Sequence, residues 1–172
     1  MDSKMIIWLL GISGAGKTTL GRKLYNQFLE DKKKVYLIDG DEVRSFFDND
    51  LGYSIEDRKS NIKRIIYAAH VLSLNEVNVI VCNISPFEEL REFSRNKLTN
   101  YIQIYLHKSI DKSRNNDIKS IYKNNIGKTD LIGIDIQFDE PLNNDLVLNT
   151  DLETVEESLQ KILTLINVES ND

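Results

Sequence analysis

Residues 5–18 read MIIWLLGISGAGKT, and this stretch decides the fold. Its first six residues form an unbroken apolar run, which is typical of a central parallel strand buried on both faces. Its last eight, Gly11 to Thr18, match the pattern G-x-x-x-x-G-K-[ST] and are followed by helical spacing of Leu20, Leu24 and Phe28. A glycine-rich loop between a strand and a helix turns backbone N–H groups around a phosphate, at the positive end of the helix. The stretch therefore predicts a phosphate-binding P-loop.

The loop predicts a nucleoside triphosphate and a metal ion as its ligands. We expect Lys17 to neutralise β- and γ-phosphate oxygens of ATP, and the Thr18 hydroxyl to join the ligand shell of Mg²⁺. A GTPase would need the guanine motif N-K-x-D, and Asn96-Lys97-Leu98-Thr99 lacks its aspartate. The residues predicted to bind ATP are Gly11, Ile12, Ser13, Gly14, Ala15, Gly16, Lys17, Thr18 and Thr19.

Apolar runs that alternate with helical patterns fill most of the remaining chain. Such alternation favours right-handed βαβ crossovers and an α/β P-loop kinase fold, a mostly parallel sheet with helices on both faces. Residues 111–140 lack periodicity, which predicts a mobile lid. The predicted strands are 5–10, 35–38, 77–84, 101–106 and 146–148, and the predicted helices are 18–31, 55–75, 85–98 and one that begins at 154.

Two helix starts carry capping signatures. Ser85-Pro86-Phe87-Glu88 combines a serine N-cap, a proline at the first helical position and a glutamate three residues after the cap. Thr154-Val155-Glu156-Glu157 is a second capping box. By this interpretation, replacing Ser85 with alanine would lower stability by about 1 kcal/mol through the lost cap.

Size and composition limit the classes of function. A chain of 172 residues suits one domain, here residues 1–172. The formal net charge of -5 argues against nucleic acid as the main partner, and no apolar segment reaches the length of a membrane span. The single cysteine, Cys82, lies in an apolar run and is expected to be buried. With no disulfide framework, a cytoplasmic location is the expectation.

Residues 37–44, LIDGDEVR, place two aspartates and an arginine after the second predicted strand. The carboxyl ends of parallel strands share one edge, so Asp39 and Asp41 should lie beside the P-loop. One carboxylate could orient or deprotonate an acceptor hydroxyl and hold magnesium waters, while Arg44 could clamp an acceptor phosphate. Because Asp-Gly is also a common turn, the pattern alone leaves a simple turn open.

Several spaced blocks together resemble the adenylylsulfate kinase family, whose members phosphorylate the 3′-hydroxyl of adenosine 5′-phosphosulfate. The resemblance covers nearly the whole chain and implies a homodimer that binds a nucleotide. The matching blocks are Gly11 to Thr18, Asp39-Gly40-Asp41 with Arg44, Leu51-Gly52-Tyr53-Ser54 with Glu56-Asp57-Arg58 and Asn61, Ile84-Ser85-Pro86-Phe87 with Arg91 and Arg95, and Gly133-Ile134-Asp135 before Glu140-Pro141.

The resemblance implies roles for individual residues. Asp41 would be the base and the magnesium-linked carboxylate, and Asp39 would support it. The acceptor would be bound by Asp39, Asp41, Arg44, Tyr53, Arg58, Asn61, Ile84, Ser85, Lys119 and Leu131, with Tyr53 stacking on its base and Lys119 reaching from the lid.

Three of these residues also have purely structural interpretations. Arg58 would form a surface ion pair with Glu56 or Asp57, and Asn61 would be a helix-surface amide. Ser85, the phosphoserine of bacterial family members, would be only an N-cap.

Departures from the family pattern concern the lid and the acceptor side. Asn116 and Ser120 replace an arginine and a glycine, Leu131 replaces a phenylalanine, and Glu88 replaces an arginine. The acceptor is therefore either adenosine 5′-phosphosulfate or the cytidine 5′-diphosphoramidate of capsule phosphoramidate biosynthesis. A small-molecule kinase for a sugar or drug and a catalytically inactive nucleotide-binding module are the remaining alternatives.

Overall fold

The computed structural model describes residues 4–109 and 136–169, without the side chains of 168 and 169. Residues 111–135, most of the predicted lid, lie outside this part of the chain. The elements are β1 Ile6–Leu10, α1 Lys17–Glu30, β2 Val35–Asp39, α2 Gly40–Phe46, α3 Ile55–Leu74, β3 Asn78–Cys82, α4 Glu88–Lys97, β4 Tyr101–His107, β5 Leu146–Asn149 and α5 Val155–Glu169.

The five strands form one parallel sheet in the order β2-β3-β1-β4-β5. β1 lies at its centre, with Ile6 opposite Val79 of β3 on one side and Tyr101 of β4 on the other. This confirms the predicted parallel α/β fold. Since the chain leaves β1 toward β2 and later crosses to β4, the strand order reverses beside β1. Ligands of such sheets bind at the carboxyl ends of the strands around that point.

Alternate residues of β1 point to opposite faces of the sheet and anchor two separate apolar layers. Ile7 and Leu9 pack in the layer that contains α1 and α5, through Leu20, Leu24, Phe28, Ile162 and Ile166. Ile6, Trp8 and Leu10 pack in the layer that contains α3 and α4, through Ile62, Ile65, Ile66, Ala69 and Leu90. Helices therefore cover both faces, and the sheet edge remains for the site.

The two predicted capping boxes have different outcomes. At α5 the box is confirmed, because Thr154 Oγ1 accepts a hydrogen bond from the Glu157 N–H at 3.2 Å and Glu157 Oε2 accepts one from the Thr154 N–H at 2.8 Å. At α4 the prediction is wrong. That helix begins at Glu88 after Phe87, which makes no side-chain cap, and Ser85 lies outside it with φ +50°.

The short helix α2 was not predicted from the sequence. Asp39 is its N-cap, and Asp39 Oδ1 accepts a hydrogen bond from the Asp41 N–H at 3.0 Å. Seven residues are too few to show helical periodicity, so only the capping interaction reveals this element. The helix fixes where Asp41 and Arg44 project from the end of β2.

Candidate active site

The P-loop follows β1 at the centre of the sheet, and close packing explains its first glycine. Gly11 has φ +149°, and a Cβ added there would lie 2.5 Å from the backbone oxygen of Leu106 in β4. Only glycine allows this approach. The Gly11 N–H also donates to the backbone oxygen of Ile84 at 3.4 Å, so Ile84 lies next to the loop.

Lys17 is the first residue of α1, and its ammonium group folds back on the loop. Its Nζ donates hydrogen bonds to the backbone oxygens of Gly11 and Ile12, both at 2.8 Å. The charge therefore lies against the backbone that the motif assigns to the phosphates.

Asp39 links the P-loop helix to the acceptor side. Its Oδ2 accepts a hydrogen bond from Thr18 Oγ1 at 2.8 Å, while its Oδ1 accepts one from the Asp41 N–H at 3.0 Å. Thr18, Asp39 and Asp41 are thus joined through one carboxylate at the carboxyl ends of β1 and β2. The carboxylate in contact with Thr18 is Asp39, whereas Asp41 is exposed on the first turn of α2.

Three of the predicted acceptor residues form one cluster between α2 and α3. Arg44 is buried, and its Nη1 donates to the backbone oxygens of Leu51 at 3.3 Å and Gly52 at 2.8 Å. Tyr53 is 56% exposed, and its ring centroid lies 4.8 Å from Cζ of Arg44 and 5.2 Å from Cζ of Arg58. Arg58 Nε also donates to the Tyr53 backbone oxygen at 2.8 Å. An exposed ring held by two guanidinium groups is suited to stacking on a base.

Two asparagines pack around Gly40, between the two aspartates. Asn61 is 3% exposed, so its interpretation as a helix-surface amide is wrong. Its Nδ2 donates to the Gly40 oxygen at 3.4 Å, and its Oδ1 is buried with no hydrogen-bond partner among the described residues. Asn83 was missed by the sequence analysis, although it is a polar residue directly after the apolar strand β3. Its Oδ1 would lie 3.1 Å from a Cβ on Gly40, and its Nδ2 is buried with no hydrogen-bond partner in the part of the chain that the structure describes. The Asn61 amide therefore holds the Gly40 peptide.

Ser85 is held by the core rather than by a helix end. It is 2% exposed, and its Oγ accepts a hydrogen bond from Trp8 Nε1 at 2.8 Å. Trp8 is 1% exposed and faces the layer of α3 and α4. The hydroxyl does not cap α4, because that helix begins after Phe87 and has no side-chain cap.

We expect Ser85→Ala to lower the free energy of unfolding by about 1–3 kcal/mol, because it leaves the Trp8 indole N–H buried without an acceptor. Urea unfolding of the variant measures this loss. In a Trp8→Phe background, which has no indole donor, the same substitution should cost less than about 1 kcal/mol. Equal costs in the two backgrounds would contradict this account and would indicate that Ser85 stabilises the protein through a helix cap or another local interaction.

Cys82 is buried at the end of β3, as predicted, beneath the P-loop helix. Its Sγ donates to the backbone oxygen of Lys17 at 3.3 Å. Burial, with a smaller effect of the Asp39 charge, raises the pKa of the Cys82 thiol to about 12. The thiol therefore stays protonated and acts as a packing group rather than a nucleophile.

The remaining predicted residues divide between described and undescribed parts of the chain. Lys119 and Leu131, together with Asn116, Ser120 and residues 133–135, lie outside the described residues. Glu88, which replaces a family arginine, forms an ion pair with Arg91. Within residues 4–109 and 136–169, no helix is long and apolar enough to cross a membrane.

Comparisons of the sequence with known proteins indicate one family. Residues 3–149 match the family model described as adenylylsulphate kinase. The chain is 39% identical over 158 residues to an adenylyl-sulfate kinase of Rippkaea orientalis, covering 91% of this chain and 87% of that protein. It is 37% identical over 159 residues to an adenylyl-sulfate kinase of Halothermothrix orenii, covering 91% of this chain and 86% of that protein. The Mycobacterium tuberculosis APS kinase in complex with AMPPNP and APS superimposes with a TM-score of 0.90 at 27% identity, covering 97% of this chain and 99% of that one.

Proposed function

Since this chain belongs to the adenylylsulphate kinase family, we propose that it transfers the γ-phosphoryl group of ATP to the 3′-hydroxyl of adenosine 5′-phosphosulfate (APS). The chain is an ATP-dependent kinase that acts on a hydroxyl group. The observation that carries the proposal is the link from Thr18 through Asp39 to Asp41, which joins the phosphate loop to the acceptor side at one sheet edge. The similar M. tuberculosis structure is described with an ATP analogue and APS bound together, which supports this pair of substrates.

Asp41 is the residue we assign as general base. Asp39 already accepts hydrogen bonds with both oxygens, from Thr18 and from the Asp41 N–H. Asp41 is exposed at the start of α2, as a group that meets a substrate must be. It would accept the proton of the 3′-hydroxyl as that oxygen attacks the γ-phosphorus and ADP leaves. Lys17, whose ammonium group lies against the P-loop, would neutralise the phosphate oxygens.

The residues present fit a magnesium ion. Thr18 Oγ1 and the Asp39 carboxylate, 2.8 Å apart, are hard oxygen donors of the kind that Mg²⁺ prefers. Among the described residues there is no cluster of three or more His, Cys, Asp or Glu side chains that could hold a metal. This agrees with an ion held mainly by phosphates, waters and one or two protein oxygens. Bound there, Mg²⁺ would neutralise charge on the transferred phosphoryl group. Asp39 is hydrogen-bonded to Thr18 directly, whereas the predicted ligand Asp41 is connected to Thr18 through Asp39.

The cluster of Arg44, Tyr53 and Arg58 is our proposed acceptor subsite, with Asn61 beneath it. Tyr53 would stack on the acceptor's base, and Arg58 would bind its 5′-phosphate region. Arg44 holds the backbone of residues 51 and 52 and thereby sets the position of the Tyr53 ring.

We expect Arg58→Ala to raise KM for the acceptor about 10- to 100-fold and to leave KM for ATP within about twofold, since one charge-assisted contact is lost. The matched control is Arg64→Ala on the same helix, which removes a two-bond ion pair with Asp50 at 2.7 Å. Steady-state kinetics with each substrate varied separately measure both constants. A comparable rise in KM for ATP in the Arg58 variant would remove Arg58 from the acceptor subsite.

The direct test of the acceptor is an ADP-release assay with APS and cytidine 5′-diphosphoramidate in parallel. Turnover with APS supports the proposal, and its absence from folded, ATP-binding protein overturns it. Turnover with the cytidine compound alone would move the chain to the capsule-type reaction. The curated relatives named above are adenylyl-sulfate kinases, so the comparisons give that alternative no support.

Direct in-line transfer accounts for the reaction without a phosphoserine. Ser85 is buried, and its hydroxyl oxygen is hydrogen-bonded to Trp8, which supports a positioning role. Capture of a phosphoenzyme on Ser85 during turnover would contradict this view. The homodimer implied by the resemblance and the cytoplasmic location expected from the absence of a disulfide framework stay predictions.

A further inference from the structure

A second lysine reaches the P-loop from the strand on its other side. Lys108 directly follows β4, and its Nζ donates a hydrogen bond to the backbone oxygen of Gly14 at 3.0 Å. Neither the nucleotide motif nor the blocks shared with the family include this residue. Gly14 lies in the middle of the loop, so this contact brings a positive charge to the predicted phosphate site.

The backbone on each side of Lys108 is fixed. The His107 oxygen accepts hydrogen bonds from the N–H of Thr150 at 3.0 Å and from Thr150 Oγ1 at 3.1 Å. The Ser109 N–H donates to Asp151 Oδ2 at 2.9 Å. The base of the side chain is therefore held at the sheet edge, while its long stem can move the ammonium group by several ångströms, on the order of the span of its four-carbon chain.

The ammonium group has no charged partner within the described part of the chain. No salt bridge there includes Lys108, and its hydrogen-bond acceptor is a neutral backbone oxygen. An ammonium has three donors, of which this bond uses one. A cation so placed has donors available for an anion at the loop.

We propose that Lys108 binds non-bridging oxygens of the α- and β-phosphates of ATP, as a second lysine of the phosphate site. The order of the strands in the sheet indicates which phosphates Lys108 would contact. Asp39 and Asp41 follow β2, on one side of β1, whereas Lys108 follows β4 on the other side. If the γ-phosphate faces the aspartates, as the proposed function requires, the β4 side receives the rest of the triphosphate. The contact consequently persists in the product ADP.

The test measures equilibrium binding of ADP and of adenosine to the full chain by calorimetry or ligand competition. We expect Lys108→Met to weaken ADP binding about 10-fold or more, the loss of a charge-assisted hydrogen bond, and to leave adenosine binding unchanged. Lys108→Arg should restore most of the ADP affinity. Lys63→Met, which removes an exposed lysine of α3, is the matched control and should have no effect.

Lys108→Gln separates charge from structure, because it keeps a hydrogen-bond donor for the Gly14 oxygen without the charge. Loss of ADP affinity in this variant supports the proposal, and affinity equal to that of the unchanged chain overturns it. Equal weakening of ADP and adenosine by Lys108→Met also overturns it. If the unchanged chain failed to bind ADP, the proposed function itself would fail. Tight ADP binding by both the unchanged chain and Lys108→Met would remove only this inference.

Discussion

Replacing Asp41 with asparagine is expected to lower kcat about 10²- to 10⁴-fold, the usual contribution of a positioned general base. Asparagine has nearly the same shape and keeps the backbone N–H that Asp39 caps, so α2 should stay in place. What disappears is the acceptor for the proton of the attacking hydroxyl. Binding of ADP should change by less than about twofold, because the P-loop is untouched.

Glu42→Gln is the control for the Asp41 variant. Glu42 is the next residue, exposed on the same first turn of α2, and loses the same charge without removing the base. Its kcat should remain within about threefold of the unchanged enzyme, as expected of a surface substitution outside the reaction. Single-turnover measurement with saturating ATP separates the chemical step from product release. Retained activity in Asp41→Asn would reassign the base, and an equal loss in Glu42→Gln would indicate a general electrostatic effect.

The fold was predictable because its signals are local. The apolar run of β1 and the glycine-rich loop are continuous in sequence, and helix spacing follows directly from burial on one face. The capping box at Thr154 needs only four residues, and the structure shows both of its hydrogen bonds. Such features depend little on distant parts of the chain.

The contacts that hold several site residues could not be predicted from the sequence, because they join distant parts of the chain. Ser85 has the sequence of an N-cap, yet its hydroxyl oxygen accepts a hydrogen bond from the indole of Trp8, 77 positions earlier. Asn61 has the spacing of a surface residue, yet α2 covers it through Gly40. Lys108 is one of many lysines until β4 brings it to Gly14, 94 positions away. Local sequence propensity cannot identify the roles of these residues, because each role depends on a partner that is distant in the sequence.

The link through Asp39 couples two functions that the sequence presents separately. Thr18 belongs to the nucleotide motif and Asp41 to the acceptor side, and one carboxylate accepts a hydrogen bond from each. The buried Asn61 side chain donates a hydrogen bond to the Gly40 oxygen and so holds the intervening peptide. The distance between donor and acceptor sites is therefore set by packed secondary structure, as in-line transfer requires.

Replacing Arg91 with alanine is expected to lower the free energy of unfolding by about 3 kcal/mol, the largest stability effect we predict. Arg91 is 2% exposed, and it joins the Ser85 loop to the segment that follows residue 136. Its Nη1 donates to the Ser85 oxygen and its Nη2 to the Asp139 oxygen, both at 2.8 Å, and its Nε donates to Glu88 Oε2 at 2.9 Å. Alanine would leave these acceptors unpaired and remove a buried stem. Urea unfolding measures the loss.

Arg95→Ala, one turn later on α4, is the matched control for Arg91. Arg95 is partly exposed, with one hydrogen bond to the Asn143 oxygen at 2.8 Å and a 3.7 Å ion pair with Asp145. Its loss should cost about 1 kcal/mol or less, as is usual for partly exposed pairs. Arg91→Lys should fall between the two variants, because an ammonium keeps the charge but cannot reach both backbone oxygens with the planar geometry of a guanidinium. Equal costs for Arg91→Ala and Arg95→Ala would show that the buried contacts to Ser85 and Asp139 contribute no more than a surface pair.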